Sequence, residues 1–422
     1  MIALPNSDQT LSVQIPGEWI GEVATLPESP PITDGLSLAG QALVNPIGSA
    51  PLSQLAKTGQ NIALIVDDFT RQTPVRRLLP LLLTELHQVG VPAEDIRIVI
   101  ALGSHRPMSP AEIAQKVGSP IVDCYEIVNT PSLARDEMVF LGTSSSGIPA
   151  WVNRAVAEAD LRLALGMITP HMDAGFTGGG KIILPGVCAE ETVDAFHARA
   201  ASFPGNPLGD ENAPLRRDLE QFVSERIPLH FILNVITNRV GDIYKCVAGH
   251  FIQAHRAGVG FARQVYGVRL RGRYPLVLAN CHPYQHDLWQ SMKGLWCGDL
   301  ATTEGGSLVW VTQAPEGNSN YPLLPEYIGR DPDVLKKELD AGIAADPKSA
   351  ATGVMVGSIK RRVRLVLVSS GLTRVDARKM GIDFFDSVEE AIQDAAHRLP
   401  VGRRRGSLAI LPEAGIVLPC II

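Results

Sequence analysis

The chain has 422 residues, of which 45% are hydrophobic and 19% charged, a balance typical of a globular protein rather than a disordered one. A chain of this length is too long for one ordinary hydrophobic core, so we expect two or three domains. The net charge of −6 argues against a nucleic-acid-binding surface, and an anionic ligand would have to be held by a few local cations.

Cysteine spacing and hydropathy bound the class of protein further. The six cysteines form no C-x-x-C pair and show no disulfide-like spacing, so neither a zinc ribbon nor a secreted disulfide framework is indicated. The N-terminal segment lacks the apolar run of a signal peptide, and no uncharged apolar stretch reaches the roughly 18 residues that a membrane span needs. We therefore predict a soluble, cytoplasmic protein that binds neither a membrane nor nucleic acid.

Short runs rich in Val, Ile and Leu alternate with helical patterns along the chain, which is typical of parallel sheets with both faces covered. The predicted strands, in chain order, are residues 61–66, 95–102, 161–168, 274–280, 307–312 and 363–370. The predicted helices are residues 74–89, 110–117, 189–200 and 333–341. This order predicts an α/β fold of two domains with mainly parallel, Rossmann-like sheets and an active-site cleft between them.

The predicted division places an N-terminal α/β domain over residues 1–268 and a C-terminal α/β domain over residues 269–404. The boundary lies near residues 266–275, where a helical pattern gives way to a new strand. Residues 405–422 form a C-terminal tail that can pack back on the first domain.

Chemically reactive residues follow three of the predicted strands. The first strand leads into residues 67–71 (DDFTR), the second into residues 103–106 (GSHR), and the third into residues 169–171 (TPH). In an open parallel sheet the ligand site lies beyond the carboxyl ends of the strands. Each ending alone could be a cap or a surface turn, but three on neighbouring strands would bring carboxylates, an arginine and two histidines to one sheet edge.

The segment GFTGGGK, residues 175–181, matches the first seven positions of a phosphate-binding P-loop. A P-loop also needs a strand running into its first glycine, a Ser or Thr after the lysine, and a helix that begins there. Here Ile182 replaces the hydroxyl residue, and Pro185-Gly186 prevents a helix from continuing. The glycines therefore serve a different anion, or they form only a flexible surface loop.

Most of the ten histidines have no supporting context, and a lone histidine is usually a surface or satisfied core residue. His282 and His286 have the i,i+4 spacing of a metal pair if their segment is helical, but no Glu follows the first histidine as in a zincin. His197 differs, because it lies on the predicted helix that returns from the glycine loop and can face the same pocket.

Five features together resemble the nickel-dependent lactate racemase family, whose members carry a nickel pincer nucleotide, nickel pyridinium-3,5-bisthiocarboxylic acid mononucleotide. They are DDFTRQTP (residues 67–74), GSHRPMS (103–109), PHMDAGFTGGGKIILPGV (170–187), His197, and DLWQSMK (287–293). They follow the order and spacing of the family across most of the chain. The combination is far more specific than any single motif.

The resemblance implies a role for each matching residue. Lys181 would carry the cofactor covalently through a thioamide, His197 would bind the nickel, and the N-terminal domain would bind the nucleotide. His105 and His171 would be acid/base residues on opposite faces of the substrate. The remaining cofactor contacts would come from Asp68, Thr70, Gly178, Gly179 and Gly180, and the substrate would be held by Arg71, Gln290 and Lys293. The glycines, having no Cβ, would let backbone amides approach the nucleotide phosphate.

The implied activity is racemisation or epimerisation of a 2-hydroxy acid, an isomerase reaction. Removing a proton from the carbon would place a carbanion beside a carboxylate, whereas moving a hydride to the cofactor and back avoids this. One histidine takes the hydroxyl proton while a transient 2-keto acid forms, and hydride returns to the other face with the opposite histidine engaged. The implied partners are the small 2-hydroxy acid and the proteins that synthesise the cofactor.

Two departures from the family pattern bear on the substrate. Gln72 stands where the family often has proline. Family members that act on lactate have a tryptophan ahead of the strand that here reads VRLVLVSS, and the preceding segment, residues 346–360, has none. Loss of a large wall residue predicts a wider pocket, and a longer hydroxy acid or a sugar acid in place of lactate.

Two other functions fit parts of the sequence. A P-loop-like nucleotide hydrolase would explain the glycine loop but lacks the Ser or Thr after Lys181. A non-catalytic relative would bind a carboxylate or nucleotide without turnover, although its reactive residues are intact.

Overall fold

A computed structural model of the chain describes residues 1–6, 9–28, 34–203, 205–318 and 321–422. Within these ranges the strands up to residue 249 are β1 Ile2–Asn6, β2 Gln9–Val13, β3 Ile20–Val23, β4 Ile62–Asp67, β5 Ile96–Ala101, β6 Glu126–Val128, β7 Met138–Thr143, β8 Pro149–Asn153, β9 Leu161–Met167, β10 Pro170–His171, β11 Gly175–Phe176, β12 Phe231–Thr237 and β13 Ile243–Gly249. The later strands are β14 Gly267–Leu270, β15 Tyr274–Asn280, β16 Thr302–Thr312, β17 Arg364–Ser369, β18 Asp383–Phe385, β19 Leu408–Leu411 and β20 Leu418–Ile421.

The helices cover the faces of the sheets and connect their strands. The earlier α-helices are α1 Gly35–Val44, α2 Leu52–Leu55, α3 Val75–Gln88, α4 Pro110–Val117, α5 Ser119–Cys124, α6 Arg154–Ala157, α7 Glu190–Ala200, α8 Pro214–Arg226 and α9 Gln253–Tyr266. The later ones are α10 Leu288–Ala301, α11 Leu324–Gly329, α12 Pro332–Asp340, α13 Pro347–Lys360, α14 Arg374–Met380 and α15 Val388–His397. Short 3-10 helices span Gly17–Trp19, Ala93–Asp95, Arg135–Glu137, Gly179–Ile182 and Val401–Arg403.

The six predicted strands and four predicted helices are confirmed, and all but one begin and end within one residue of the predicted bounds. The exception is β16, which begins at Thr302 rather than at residue 307. Local signals explain this agreement. Helix α4, for example, begins at a capping box in which Ser109 and Glu112 exchange side-chain-to-backbone hydrogen bonds.

Two six-stranded sheets organise the fold. The first has the order β13-β12-β9-β4-β5-β6, and its strands run parallel except for β13. The second has the order β18-β17-β16-β15-β19-β3 and is parallel throughout. The α/β fold with mainly parallel sheets is therefore confirmed.

The sheet pairings depart from the predicted division at both chain ends. Strand β3 lies in the range assigned to the first domain and β19 in the predicted tail, yet both pair in the second sheet. They extend the sheet beside β15, whose edge would otherwise be unpaired. The last strand, β20, pairs with β14, which spans the predicted boundary at residue 268.

One cluster of buried apolar side chains, the central cluster, contacts both sheets. Alternate residues of β4 point to opposite faces of the first sheet. Ala63 and Ile65 belong to the central cluster, while the residues between and beside them pack towards α3. Val277 and Ala279 of β15 join the same central cluster. The two halves therefore pack through a shared core. Among the described helices, none combines the length and apolar character that crossing a bilayer requires.

Candidate active site

The largest concentration of reactive side chains lines a cavity of about 860 Å³, counting its open mouth. It lies beyond the carboxyl ends of β4, β5 and β9, beside the start of α10. In the first sheet the strand order reverses between β4 and β9, and ligands of open α/β sheets bind at such reversals. In the second sheet the order reverses beside β15, the strand that leads into α10. The cavity therefore lies where the ligand-binding edges of both sheets meet.

His105 is held by a carboxylate on one side. Its Nδ1 lies 2.6 Å from Oδ2 of Asp68, which is 2% exposed. Burial alone would raise the pKa of the Asp68 carboxyl, but the charge and hydrogen bond of His105, with Arg71 and Thr70, hold that pKa well below its usual range. An ionised carboxylate only accepts hydrogen bonds, so Nδ1 of His105 donates. A neutral His105 therefore presents a lone pair at Nε2.

The other side of His105 contacts the second half of the chain. Gln290 Nε2 lies 2.9 Å from His105 Nε2 and donates to it, and Lys293 Nζ donates to Gln290 Oε1 at 2.7 Å. Gln290 and Lys293 share one face of α10 at i,i+3 spacing, and Asp287 caps this helix by accepting from the Gln290 amide at 2.7 Å. The structure thus brings predicted residues from both halves into one hydrogen-bonded chain.

His171 has the opposite hydrogen-bond polarity. Its Nδ1 accepts from the backbone N–H of Asp173 at 3.1 Å and, more weakly, from that of Ala174 at 3.5 Å. Burial, with the charges of Lys181 and Arg71, holds the pKa of His171 well below its ordinary value. A neutral His171 therefore carries its proton on Nε2 and presents a donor.

Lys181 is a half-buried residue whose amine lies in the cavity wall. Burial and the charge of Arg71 lower its pKa to about 7, although the Asp173 carboxylate acts in the opposite direction. A large fraction of this amine is unprotonated at neutral pH, the form that acts as a nucleophile. The position fits covalent attachment chemistry.

His197 lies on α7, against an aromatic wall. Its Nδ1 donates to the Val193 carbonyl at 2.8 Å, which leaves Nε2 free to bind a metal. Burial, with the charges of Lys181 and Lys348, lowers its pKa to about 3, so the ring is neutral. Trp289 packs edge-on against it at a centroid distance of 5.8 Å, and Tyr321 stacks on Trp289 at 4.6 Å. The Tyr321 hydroxyl donates to Ser104 Oγ at 2.8 Å and so links the two halves above the cavity.

The glycine loop is fixed from behind by a buried arginine. Arg216 of α8 is fully buried and donates to the carbonyls of Ala174, Phe176 and Gly178. His255 of α9 bonds the Thr177 carbonyl at 2.9 Å. The loop is therefore an ordered part of the core, and the flexible-loop alternative is wrong. Residues 179–182 form a single 3-10 turn that ends in further turns, so the helix that a P-loop needs is missing.

The three glycines are closely packed by the surrounding protein. A Cβ at Gly178 would lie 2.8 Å from Asn234 Oδ1, one at Gly179 would lie 2.9 Å from the Phe251 carbonyl oxygen, and one at Gly180 would lie 3.2 Å from Leu219. Packing therefore requires glycine at these positions whether or not their amides also contact a ligand. Of the three, Gly178 lines the cavity.

Most predicted site residues line the cavity: Asp68, Arg71, His105, His171, Gly178, Lys181, His197, Gln290 and Lys293. Thr70, Gly179 and Gly180 lie behind its wall. Thr70 donates to Asp68 Oδ1 at 2.6 Å and accepts from Arg71 at 2.8 Å, so its visible task is to fix those two side chains. The segment of His282 and His286 forms turns, so the helical condition for a metal pair is not met.

Sequence reasoning missed four residues of the site. Asp173 and Trp289 line the cavity beside predicted residues, and both stand inside motifs already singled out. Asn234 lines it from β12 and accepts from the Gly179 amide at 2.8 Å; a polar residue in the middle of the buried run FILNVIT was a visible signal. No feature of the sequence indicated that Arg216 is buried, because the sequence pattern does not distinguish it from Arg217 beside it.

The residues present fit a lysine-tethered metal cofactor better than an all-protein metal site. No cluster of three or more His, Cys, Asp or Glu side chains that could hold a metal occurs in the described ranges. His197 offers one imidazole nitrogen, so further donors would come from an organic group. Lys181 lines the same cavity and would be the attachment point for such a group.

Comparisons with known proteins identify the family of the chain. The family described as lactate racemase N-terminal domain matches residues 7–208. A lactate racemase of Thermoanaerobacterium thermosaccharolyticum is 34% identical over 311 residues, 72% of each chain. A lactate racemase of Lactiplantibacillus plantarum is 31% identical over 410 residues, 94% of this chain and 95% of the relative.

Solved structures give the same result. The lactate racemase apoprotein of Thermoanaerobacterium thermosaccharolyticum superimposes with a TM-score of 0.88 at 28% identity, covering 99% of both chains. A Thermotoga maritima protein shares the fold, with a TM-score of 0.68 at 20% identity over 92% of this chain and 97% of its own. The chain therefore belongs to the lactate racemase family and is a racemase, an enzyme of the isomerase class.

Proposed function

We propose that this chain racemises or epimerises a 2-hydroxy acid by hydride transfer to and from a nickel pincer nucleotide attached to Lys181. The observation that carries the proposal is the opposite polarity of two histidines on one cavity. His105 presents an acceptor at Nε2, and His171 presents a donor at Nε2. Lys181 and His197 line the same cavity.

The substrate carboxylate would be held by Arg71 and Lys293. Burial and the charges of Arg71 and Lys181 hold the pKa of Lys293 well below its ordinary value. An entering carboxylate would favour the charged ammonium, so binding and protonation of Lys293 are coupled. Conversion of Lys181 into a thioamide would remove one competing positive charge.

His105 would act as the base for one enantiomer. The substrate hydroxyl would replace the Gln290 amide at His105 Nε2, which then takes the C2 hydroxyl proton, and the Nδ1–H bond to Asp68 stabilises the resulting imidazolium. This contact resembles the carboxylate-to-histidine pair of other proton-transfer sites, where the carboxylate fixes the tautomer. On the other side, Nε2–H of His171 donates to the substrate oxygen and polarises it.

The opposite enantiomer requires the roles to exchange. His171 can accept a proton at Nε2 only when its own proton lies on Nδ1, so the backbone amides of Asp173 and Ala174 have to release that nitrogen. The turn that contains them, residues 172–174, would therefore shift between the two directions of the reaction.

The cofactor, when bound, supplies the hydride acceptor and donor. Lys181 would hold it covalently and His197 would bind its nickel through Nε2. Proteins that synthesise and load the nucleotide would be the partners of this chain.

Separate His105→Ala and His171→Ala variants test the proposal. Inversion of each enantiomer of a panel of 2-hydroxy acids is measured with cofactor-loaded protein, and His397→Ala, at an exposed position on α15, is the control. Both site variants should lose inversion by about 10²- to 10⁴-fold, the usual contribution of one general base. A single turnover from one enantiomer can survive in each. Near-normal racemisation in either variant would reject the two-histidine assignment.

A further inference from the structure

A buried carboxylate in the cavity has no task in the proton transfers described above. Asp173 is 4% exposed and lines the cavity two residues after His171. Its Oδ1 is buried and lacks a hydrogen-bond partner within the described ranges. A buried carboxylate oxygen without a partner is costly, because the group has lost its hydration without replacement.

The neighbouring carboxylates have partners in the protein. Asp67 accepts from Thr73, and its Oδ1, which also lacks a hydrogen bond, forms an ion pair with Lys116 Nζ at 2.8 Å. Asp68 accepts from Thr70 and bonds His105. Within the described ranges, the Asp173 side chain alone of these three has neither a hydrogen bond nor an ion pair with another side chain.

From this contrast we propose that Asp173 accepts a hydrogen bond from a substrate hydroxyl beyond C2, so the site takes polyhydroxy acids in preference to lactate. The inference rests on the proposed function, since it assumes that the C2 oxygen lies at His171. The Asp173 amide donates directly to His171 Nδ1 at 3.1 Å, so its carboxylate belongs to the part of the cavity next to that ring. With the substrate carboxylate at Arg71 and Lys293, the group on the carbon following C2 would lie there.

The charges around Asp173 select the kind of partner. A cationic group would be repelled by Arg71, which shares the cavity, and a second carboxylate would be repelled by Asp173 itself. The methyl group of lactate would leave the carboxylate without a donor. Burial, opposed by the charges of Lys181 and Lys293, raises the pKa of Asp173 to about 6, which agrees with a carboxyl that lacks hydrogen-bond donors. A neutral hydroxyl group meets each of these conditions.

Glycerate and lactate provide a matched pair of probes, because they differ by one hydroxyl at C3. Dissociation constants of both acids for the apoprotein are measured by calorimetry, and kcat/KM for both is measured with cofactor-loaded enzyme. The variants are Asp173→Leu and Asp173→Asn, with Asp123→Leu, the same substitution at an exposed position on α5 outside the cavity, as the control. The loaded fraction is measured by intact mass in each case. Asp173→Ala replaces Asp173→Leu if the leucine variant does not fold.

We expect the wild-type protein and Asp123→Leu to prefer glycerate by about tenfold to a hundredfold, the range of one hydrogen bond to a charged group. Asp173→Leu should reduce the preference to about one, and Asp173→Asn should retain part of it through its amide oxygen. An unchanged preference in Asp173→Leu would overturn the inference. So would a fall in cofactor loading without a change in preference, because Asp173 would then serve a hydroxyl of the nucleotide.

A different result would bear on the proposed function itself. If wild-type protein neither binds nor interconverts any acid of the 2-hydroxy acid panel, glycerate and lactate included, the 2-hydroxy acid assignment fails, and the role proposed for Asp173 fails with it. If both acids are racemised with equal efficiency by the wild type, the function stands and the role of Asp173 is rejected.

Discussion

Replacing Asp68 by Asn should disable His105 with little change of shape. Asp68 accepts three hydrogen bonds: from the Thr70 amide at 3.1 Å, from Thr70 Oγ1 at 2.6 Å, and from His105 Nδ1 at 2.6 Å. An asparagine has one oxygen, which satisfies either the two Thr70 donors or the histidine. If the asparagine oxygen faces Thr70, one more hydrogen bond is kept, worth about 1 kcal/mol, so the asparagine NH₂ group faces His105. Nδ1 must then accept, and the proton moves to Nε2, where the lone pair is needed.

The magnitude follows from what is lost. A hydrogen bond to a charged group contributes about 1.5–3 kcal/mol, or roughly tenfold to a hundredfold in rate, and the wrong tautomer removes the general base as well. Together we expect inversion to fall about 10²- to 10⁴-fold. The assay is kcat/KM for both enantiomers, normalised to the loaded fraction. Asp67→Asn is the control, because Asp67 pairs with Lys116 and Thr73 and not with His105.

Asp68→Asn should also change how the free energy of unfolding depends on pH in the acid range. Because the folded-state pKa of Asp68 lies below its ordinary value of 3.8, its ionisation stabilises the fold above that pH. This contribution is lost as the pH falls from 3.8 towards the folded-state value, and Asp68→Asn lacks it. Turnover within threefold of wild type in both directions would refute the tautomer argument.

Three further outcomes test other parts of the site. An amine-reactive reagent should modify Lys181 of the apoprotein increasingly as the pH rises through about 7, well below the pKa of ordinary lysines near 10.4. Peptide mass spectrometry measures the modified fraction at each pH, and no rise in modification near pH 7 would contradict the lowered pKa. Arg216→Met strips three buried carbonyls of their donor and should cost about 3–5 kcal/mol in denaturant unfolding; a loss below about 1 kcal/mol would contradict its clamping role. Gly175→Ala places a Cβ 1.8 Å from the Asp210 carbonyl oxygen, whereas the Cβ of Gly147→Ala, also at positive φ, meets open space. Gly175→Ala should therefore lower the midpoint of thermal unfolding far more than Gly147→Ala. Equal effects would contradict the claim that Gly175 is required by packing.

The sequence predicts those features of the fold that have a local cause. Strands β4 and β9 are continuous apolar runs because both faces are covered, and helix α4 begins at a capping box that is readable from its residues. Strands β3 and β19 are four residues each, too short to show which sheet they join. Which sheet they join depends on the open edge beside β15, and that edge exists only in the folded chain.

The candidate site divides in the same way. Residues that follow strands, such as His105 and His171, could be placed together because parallel strands end at one edge. Arg216 could not be found, since its partners are backbone carbonyls that carry no signal in the sequence. The packing role of the glycines could not be predicted, because the atoms that a Cβ would meet belong to β12, α8 and the segment before α9, which only tertiary packing brings there.

The central claim is that catalysis depends on a group attached to Lys181. The measurement that tests it most directly is peptide mass spectrometry of natively matured, active protein, with the modified fraction of Lys181 compared with specific activity across preparations. We predict a nucleotide-sized addition on Lys181 and an activity that rises in proportion to the modified fraction. Fully active protein whose Lys181 carries no addition would contradict the account.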